Sequence, residues 1–203
     1  MAFGVDPAKF KISETLCAWI TQGSDMVCGV IGQGTSMSLT AKWDAPLENS
    51  NAGNAPGKEK LSAVLQASTG QTSITTFSST QIWGGNSPTK FNLVLDFFAW
   101  DDADKQVMKP LQYLMMFASS NLKGTVPFLP SSGDASKEGR IPDRVTINVG
   151  RKLIIPECVI ESVSFPIDKE RTSKGQLIRA SATLDIQTLT MLNRDHFEKE
   201  IFK

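Results

Sequence analysis

Residues 88–100, PTKFNLVLDFFAW, alternate between apolar and more polar positions along most of their length. In a strand, this alternation would place four apolar side chains on one face, namely Phe91, Leu93, Leu95 and Phe97. Its other face would carry Asn92, Val94, Asp96 and Phe98. Because this second face is half apolar, we expect it to be covered as well.

Upstream of this segment, the pattern predicts several short strands. Segments 14–23 and 25–34 are typical of two strands joined by a Gly-Ser-Asp turn. Segment 35–43, TSMSLTAKW, alternates strictly and predicts one further strand. Its apolar face would consist of Met37, Leu39, Ala41 and Trp43. Strands are predicted again at 61–68 and 72–83, where Thr and Ile suit a pleated surface.

Three more strands are predicted near the end of the chain. In the first, DRVTINVG, the side chains expected to point inward are those of Val145, Ile147 and Val149. The second, ECVIESVSFPID, has on one side Val159, Val163 and Phe165. The third, QLIRASATLDIQTL, has on its apolar face Ile178, Ala180, Ala182, Leu184 and Ile186. The last two strands should pair as a hairpin, and the tip of their charged connection at 168–175 should project into water or onto a neighbour.

Two segments have helical spacing. Residues 101–120 begin with acidic side chains, which suit the positive end of a helix dipole. Apolar residues then recur at helical spacing, namely Val107, Leu111, Leu114, Met115 and Ala118. Pro110 would kink or reset this helix if it lies inside it. The end of the chain suits a short helix capped by Asn193, with Phe197 and Ile201 one turn apart.

The remaining segments predict loops and set the fold class. Residues 44–60 and 124–142 are rich in Pro, Gly, Ser and Asn and lack a hydrophobic period. The strands come as meanders and hairpins rather than in βαβ alternation, so the sheet should be antiparallel. We therefore predict one domain over 1–203, mainly β with one flanking helix and a short C-terminal helix, closed into a barrel or sandwich.

Composition narrows the class of partner. The chain has 203 residues and a formal net charge of zero, so it lacks the basic excess that draws proteins to nucleic acid or anionic membranes. No apolar run approaches the ~20 residues that span a bilayer, and the N-terminus does not resemble a signal peptide. We expect a protein that is made in a cytoplasm and whose partners are other proteins.

Candidate reactive side chains are few. Cys17, Cys28 and Cys158 are sparse and lack C-x-x-C spacing, so they are interpreted as small buried hydrophobes. His196 is the sole histidine and lies in a charged segment, which is a poor place to orient a general base. It is interpreted as a surface residue.

Three further patterns have structural interpretations. The segment around Gly57 and Lys58 does not match the phosphate-binding loop motif. Gly29, Gly32 and Gly34 do not have the spacing of a dinucleotide-binding motif, and they predict a turn or bulge instead. The acidic cluster is interpreted as the start of the helix, and a methionine group as core packing. The acidic cluster consists of Asp101, Asp102 and Asp104. The methionine group consists of Met108, Met115 and Met116 together with Phe117. We predict no catalytic, cofactor-binding or metal-binding residue.

Two stretches carry a resemblance to a known family. Residues 80–120, with IPECVIESV at 155–163 and GQLIRASATLDI at 175–186, resemble the tube-like proteins of contractile phage tails and related injection systems. They are similar in particular to the baseplate protein called the ripcord and to the N-terminal domain of LysM-bearing baseplate proteins. The match covers about residues 80 to 190, and it consists of fold residues rather than a catalytic motif. Because the sequence ends soon after the last strand, we do not expect a LysM module, and peptidoglycan binding by that route is not implied.

The resemblance implies a barrel or sandwich with a flanking helix, repeated in a ring that is expected to be six-fold. It implies a non-enzymatic virion protein of the inner baseplate, assembled in the host cytoplasm, without a cofactor. Its partners would be copies of itself, tube and hub proteins, and wedge and sheath-initiating proteins. Loops 44–60 and 168–175 are candidates for reaching other subunits.

Two alternatives stay open. The chain could be the tail tube protein itself. From a different class, it could be a carbohydrate-binding β-sandwich module, for which Trp83 and Trp100 are the side chains to test. Its four tryptophans and single tyrosine are scattered along the sequence, which argues against a grouped sugar site.

Overall fold

A computed structural model describes residues 2–44, 80–120 and 141–202. The predicted loop 44–60 beyond Asp44, the strand at 61–68, residues 72–79 of the strand at 72–83, and the loop 124–142 as far as residue 140 lie outside the described residues. The described chain contains ten strands. They are β1 (Ala2–Gly4), β2 (Cys17–Gln22), β3 (Asp25–Ile31), β4 (Ser36–Ser38), β5 (Ala41–Asp44), β6 (Ile82–Asn86), β7 (Lys90–Phe98), β8 (Val145–Val149), β9 (Leu153–Ser164) and β10 (Arg179–Thr188).

The helices are short. They are α1 (Pro7–Phe10), a 3₁₀ turn (Glu14–Leu16), a π-helical turn (Asp104–Met108) continuing into α2 (Lys109–Ala118), and α3 (Arg194–His196) continuing into a second π-helical turn (Phe197–Ile201). The chain divides into two compact units, one of residues 1–39 with 88–203 and one of residues 40–87. The larger unit contains every one of these helices.

Six antiparallel strands of the larger unit close into a barrel. Their order is β3, β2, β8, β9, β10, β7 and back to β3. The closing pair consists of Val30 opposite Asp96 and Ile31 opposite Leu95. Strand β1 adds to β3 in parallel and β4 adds to β7, and each is only three residues long. The prediction of a mainly β, antiparallel fold with short helices is confirmed.

The alternation that was read from the sequence corresponds to the inside of this barrel. All four residues on the predicted apolar face of β7 are buried, as are two of the three predicted inward residues of β8 and the inward residues within β10, while Val149 of β8 is partly buried against the same core. These are Phe91, Leu93, Leu95, Phe97, Val145, Ile147, Ala180, Ala182, Leu184 and Ile186. Four residues of the helical segment join the same core, namely Val107, Leu111, Leu114 and Phe117. One continuous apolar core therefore holds the barrel and its helix together.

The prediction that Ile178 points into the core from the last strand is wrong. Ile178 is 39% exposed. The strand begins only at Arg179, and the Ile178 carbonyl accepts a hydrogen bond from the N–H of Ala99 at 2.8 Å. Ile178 thus lies at the rim of the barrel, where the alternation of the strand does not yet apply.

Strand β9 departs from the predicted alternation because it is bulged. Ser162 faces Asp185 and Ile160 faces Ile186, so Glu161 is an extra residue on this strand. A second irregularity surrounds Glu157, whose φ is +55°. The core side of β9 therefore carries Cys158, Ile160 and Val163, and Phe165 just beyond the strand also packs on the core, whereas Val159 is not among these residues. The prediction that Val159 shares a side with Val163 is wrong, because each bulge reverses the alternation.

The predicted strand over 35–43 is also corrected. Two short strands, β4 and β5, take its place, and they fall in different compact units. Met37 packs against the core, but Leu39 and Trp43 are exposed. Strict alternation along the sequence did not reveal that the chain leaves the barrel after Leu39.

The predicted helix at 101–120 begins with a π-helical turn rather than an α-helical one. The N–H of Lys109 bonds to the carbonyl of Asp104, five residues back, and Pro110 follows in the first turn of α2. Proline has no backbone N–H, and the N–H groups in the first turn of an α-helix have no partner within that helix. Pro110 is therefore accommodated here without breaking the helical segment. Met115 and Met116 are exposed, so their predicted packing in the core is wrong, whereas Met108 does pack against it.

The C-terminal helix is confirmed. Asn193 caps it by accepting the His196 N–H at 2.9 Å, and His196 Nδ1 accepts the Asn193 N–H in return at 3.2 Å. Ile201 is buried and Phe197 packs on the core. His196 is half-buried and takes part in the cap.

Residues 40–87 form the smaller unit, of which β5 and β6 are described. They pair in antiparallel fashion, with Trp43 directly opposite Trp83. Both tryptophans and Ile82 are more than half exposed, at 56%, 52% and 52%. We call this two-stranded element, β5 with β6, the tryptophan ribbon.

Candidate functional site

The half-apolar outer face of β7 is partly covered by the chain itself. The turn after β3 lies over Val94, whose N–H donates to Thr35 Oγ1 at 3.1 Å. Gly32 approaches so closely that a Cβ atom there would lie 2.6 Å from Val94 Cγ1. A side chain at this position would therefore clash, and the absence of one allows the turn to seal this part of the face.

Polar contacts satisfy the next part of that face. Asn92 donates to Asp185 at 3.1 Å, and the Ser181 hydroxyl donates to Asp96 at 2.5 Å, both across the pair of β7 with β10. Phe98, at the end of β7, remains 41% exposed. The helix does not cover this face, because the buried side of α2 contributes to the core inside the barrel. Part of the opening expectation is thus met within the chain, and Phe98 is the residue left open.

The acidic residues at 101–104 organise the start of the helix. Asp102 Oδ1 accepts the N–H groups of Asp104 at 3.0 Å and of Lys105 at 3.3 Å, which is the bonding expected where a helix begins. Each carboxylate also faces a lysine in an exposed ion pair. The pairs are Lys9 with Asp101, Lys105 with Asp102, and Lys109 with Asp104. In the part of the chain that the structure describes, no three His, Cys, Asp or Glu side chains are grouped to hold a metal.

An open groove lies at the end of the barrel where β7 ends and β10 begins, and it encloses about 630 Å³. One wall is residues 99–103, between β7 and the helical segment, and the other is the tip of the connection between β9 and β10. The second wall contributes Thr172, Ser173, Lys174, Gln176 and Ile178. We call this feature the rim groove.

Trp100 stands at the rim groove and is 63% exposed. Its indole stacks on the ring of Phe10, with centroids 5.6 Å apart and planes inclined by 21°. Its backbone N–H donates to Oε1 of the buried Gln106 at 2.6 Å, and the N–H of Asp101 donates to the same oxygen at 3.1 Å. An exposed aromatic side chain is therefore fixed by contacts on its ring and on its backbone.

The facing wall is also fixed by hydrogen bonds. Arg171 donates to the carbonyls of Gly175 and Ile167, each at 2.8 Å, and Thr172 Oγ1 accepts the N–H of Gln176 at 3.2 Å. The Thr172 N–H donates to the Gln176 carbonyl at 2.8 Å. Gly175 turns the chain with φ of +81°, a conformation that a glycine adopts without strain. The predicted projecting tip at 168–175 is thus a defined turn rather than a loose loop.

An ion pair closes the base of this turn. Arg179 donates to both carboxylate oxygens of Glu170, at 3.0 and 2.7 Å. The hydrogen bond from Arg179 holds the pKa of Glu170 below its usual range, and the pKa of Arg179 is raised in return. Both side chains are exposed, so the pair fixes geometry more than it adds stability.

The three cysteines are buried and free, which confirms their interpretation as small hydrophobes. Burial raises the pKa of Cys158 to about 12, and it also raises the pKa of Cys17 and of Cys28. The thiolate is the nucleophilic form of a cysteine, so all three should be inert in the folded chain.

We expect the native protein to resist thiol reagents. At pH 8, a thiol with a pKa of about 12 has a thiolate fraction roughly a thousandfold below that of a solvent-exposed cysteine. Reaction of the three cysteines with a chromogenic disulfide reagent should therefore be slow, and it should become fast once the chain is unfolded in guanidinium. As the pH rises above about 9, the unfolded state alone ionises, so stability should fall. Rapid labelling of the native chain at pH 8 would contradict the buried placement.

Sequence reasoning singled out Trp100 and Trp83 but found the tryptophans scattered. The structure brings Trp43 and Trp83 together in the tryptophan ribbon, and it places Trp100 beside the polar turn at 172–176. The pairing of Trp43 with Trp83 depends on how β5 and β6 align, although they lie far apart in the sequence. The position of Trp100 beside the turn depends on the pairing of β7 with β10. Neither arrangement can be deduced from the spacing of the tryptophans along the chain. Among the described residues, none of the helices combines the length and apolarity needed to cross a bilayer.

Comparison with known proteins finds similarity among solved structures. No family model matches the sequence, and no curated protein sequence matches it either. Among solved structures, the chain is similar to a component of the virion of a native gene transfer agent particle. The two are 9% identical, the alignment covers 87% of this chain and 93% of the other, and the TM-score is 0.35. At this level the likeness carries nothing about function.

Proposed function

We propose that this chain is a non-enzymatic structural protein of a phage-like virion with a contractile tail. Its place would be the inner baseplate, in a ripcord-like ring that joins the tail tube or hub to wedge and sheath-initiating proteins. Support comes from residues 80–190, whose resemblance to tube-like tail proteins implies a barrel with a flanking helix, the architecture found here.

The tryptophan ribbon is the observation that carries the proposal. Among the described residues, β5 and β6 pair only with each other, and a two-stranded element is marginally stable on its own in water; this one exposes two tryptophans on the same face. Tryptophan is enriched at the centres of protein interfaces, where its large apolar surface is buried. A ribbon of this kind is stabilised when a second subunit covers it, which is the situation of a subunit in a ring.

The mechanism would be mechanical. Head-to-tail contacts between identical subunits close into a ring when the rotation per subunit fits, and six copies are expected here. Each subunit keeps its own core inside the barrel, so the ring would be built from preformed barrels joined through exposed surfaces. Loops 44–60 and 168–175 would provide contacts to the neighbouring proteins of the tail.

The tail tube protein itself is the nearest rival. A tube protein polymerises into many stacked rings, whereas a baseplate protein is present as one ring in each particle. The copy number of the chain in purified particles, measured by quantitative mass spectrometry against a tube protein, separates the two.

We expect replacement of Trp43 and Trp83 by serine to abolish self-association of the full chain. Each tryptophan at an interface centre contributes at least ~2 kcal/mol, so the double variant should lose more than a hundredfold in affinity. Sedimentation velocity over a range of concentrations measures this, with circular dichroism to verify the barrel. The variant K42A is the matched control, because Lys42 lies on the same exposed strand without an aromatic ring. Unchanged association of the double variant would refute the role of the ribbon.

A further inference from the structure

The rim groove has features of a ligand site, although one of its walls belongs to the 168–175 turn, for which the proposed virion role assigns only a contact with neighbouring tail proteins. Its volume of about 630 Å³ lies within the ~300–1,000 Å³ typical of small-molecule sites. Its described lining combines one large exposed aromatic, Trp100, with short hydroxyl, amide and carboxylate groups on both walls. We propose that the rim groove binds an uncharged oligosaccharide, with Trp100 as the stacking platform.

Trp100 suits the apolar face of a sugar ring. A pyranose presents C–H groups on its faces and hydroxyls around its edge, so it stacks on an aromatic face while its edge seeks hydrogen bonds. Phe10 occupies one face of the indole, and the exposed 63% leaves the other part open at the groove. Aromatic surfaces contribute through their apolar faces, and tryptophan offers the largest of them.

The polar walls supply the hydrogen bonds that the sugar edge requires. In the described part of the chain, the Ser173 hydroxyl and the Lys174 ammonium form no hydrogen bond or ion pair with protein. The Gln176 amide lies on the same wall, and its oxygen is within 3.4 Å of Thr172 Oγ1. Asp101 and Asp102 lie on the opposite wall. Donors and acceptors thus face the groove from two sides.

Rigidity of the two walls favours binding. Gln106 and Phe10 fix the Trp100 wall, and Arg171 fixes the turn that carries Ser173 and Lys174. Side chains and loops that are already ordered lose little entropy when a ligand arrives. A groove that must first be ordered would bind a weakly interacting sugar poorly.

The lining favours a sugar over a protein segment. A docking helix or peptide is anchored by large apolar side chains that fill apolar pockets. The first wall offers mainly small side chains beside Trp100, namely Ala99 and Ala103, and Ile178 is the only other large apolar residue of the described lining. Asp101 and Asp102 are already paired with Lys9 and Lys105, so little net charge faces the groove, which favours an uncharged ligand.

The test uses the full chain labelled with ¹⁵N. Its four tryptophans give separate indole N–H signals, and the variant W100F identifies the signal of Trp100. The probes are cellotetraose and chitotetraose, added up to about 20 mM to detect dissociation constants in the millimolar range. We expect the Trp100 signal to shift saturably with at least one probe, while the Trp83 signal stays in place.

Variants separate stacking from structure. W100A should weaken binding about tenfold or more, as measured by calorimetry, and W83A should leave it unchanged. Ser173→Ala, on the opposite exposed wall, should weaken binding by about threefold without affecting the fold, so the proposal remains testable if W100A is unstable.

Two results would overturn the proposal. The first is the absence of any shift of the Trp100 signal with either probe. The second is a shift of that signal with protein concentration alone, since a second copy of the chain would then occupy the groove. Because the ring contacts are assigned to the tryptophan ribbon, loss of sugar binding in W100A with intact self-association separates this site from the proposed virion role.

Discussion

Replacement of Phe97 by alanine is expected to lower the free energy of unfolding by about 3–5 kcal/mol. Phe97 is fully buried in the barrel core, and its ring lies beside Gly29 of the neighbouring strand β3. The substitution removes the apolar surface of the ring from the core and leaves a cavity that a closed barrel can fill only in part. Denaturant unfolding followed by circular dichroism measures the change.

The adjacent residue provides the control. Phe98 is next in the same strand but points outward and is 41% exposed, so F98A should cost no more than about 1 kcal/mol. The two variants remove the same side chain from consecutive positions. Equal losses would mean that the inward face of β7 has been assigned incorrectly.

Gly4→Ala is expected to cost about 2–4 kcal/mol, a large effect for one methyl group. Gly4 lies in β1 with φ of +101°, and a Cβ atom there would lie 2.1 Å from the carbonyl oxygen of Cys28. That oxygen accepts the N–H of Val5 at 2.9 Å, so β1 would have to separate from β3 to make room. Thermal and denaturant unfolding of the variant measure the loss.

Gly23 is the matched control for Gly4. It also has a positive φ, at +57°, but no atom lies within 4 Å of the position that its Cβ would take. Gly23→Ala should therefore cost only the backbone strain, about 1 kcal/mol. If both variants lost the same stability, crowding at Cys28 could not be the cause.

Period-two alternation predicted the barrel interior well where strands are regular. In β7, β8 and β10, burial of one face dominates the choice of side chain, so residues such as Leu95, Ile147 and Leu184 reveal the core without any structure. The helix cap at Asn193 was equally accessible, because capping depends on neighbours in sequence.

Features that depend on distant partners could not be predicted in this way. The extra residue at Glu161 is visible only against β10, and the change of unit after Leu39 leaves the alternation intact. Met115 and Met116 are apolar yet lie on the exposed side of α2, because the buried side of that helix runs through Leu111, Leu114 and Phe117.

The rim groove shows the same limit for function. Its walls are separated by about seventy residues of sequence, and the pairing of β7 with β10 brings them together. Trp100 alone is an unremarkable exposed aromatic, and the turn at 172–176 alone is a polar tip. Only their juxtaposition suggests a ligand, and no spacing rule predicts it.

Closure of the barrel through Val30 and Ile31 leaves few open strand edges to which another chain could add. Each of the six barrel strands is bonded along both sides for part of its length, and the added strands β1 and β4 offer edges of only three residues. Amyloid fibrils grow by adding strands to long open edges. Within the described residues, copies of this barrel at high concentration would therefore present almost no template for such growth.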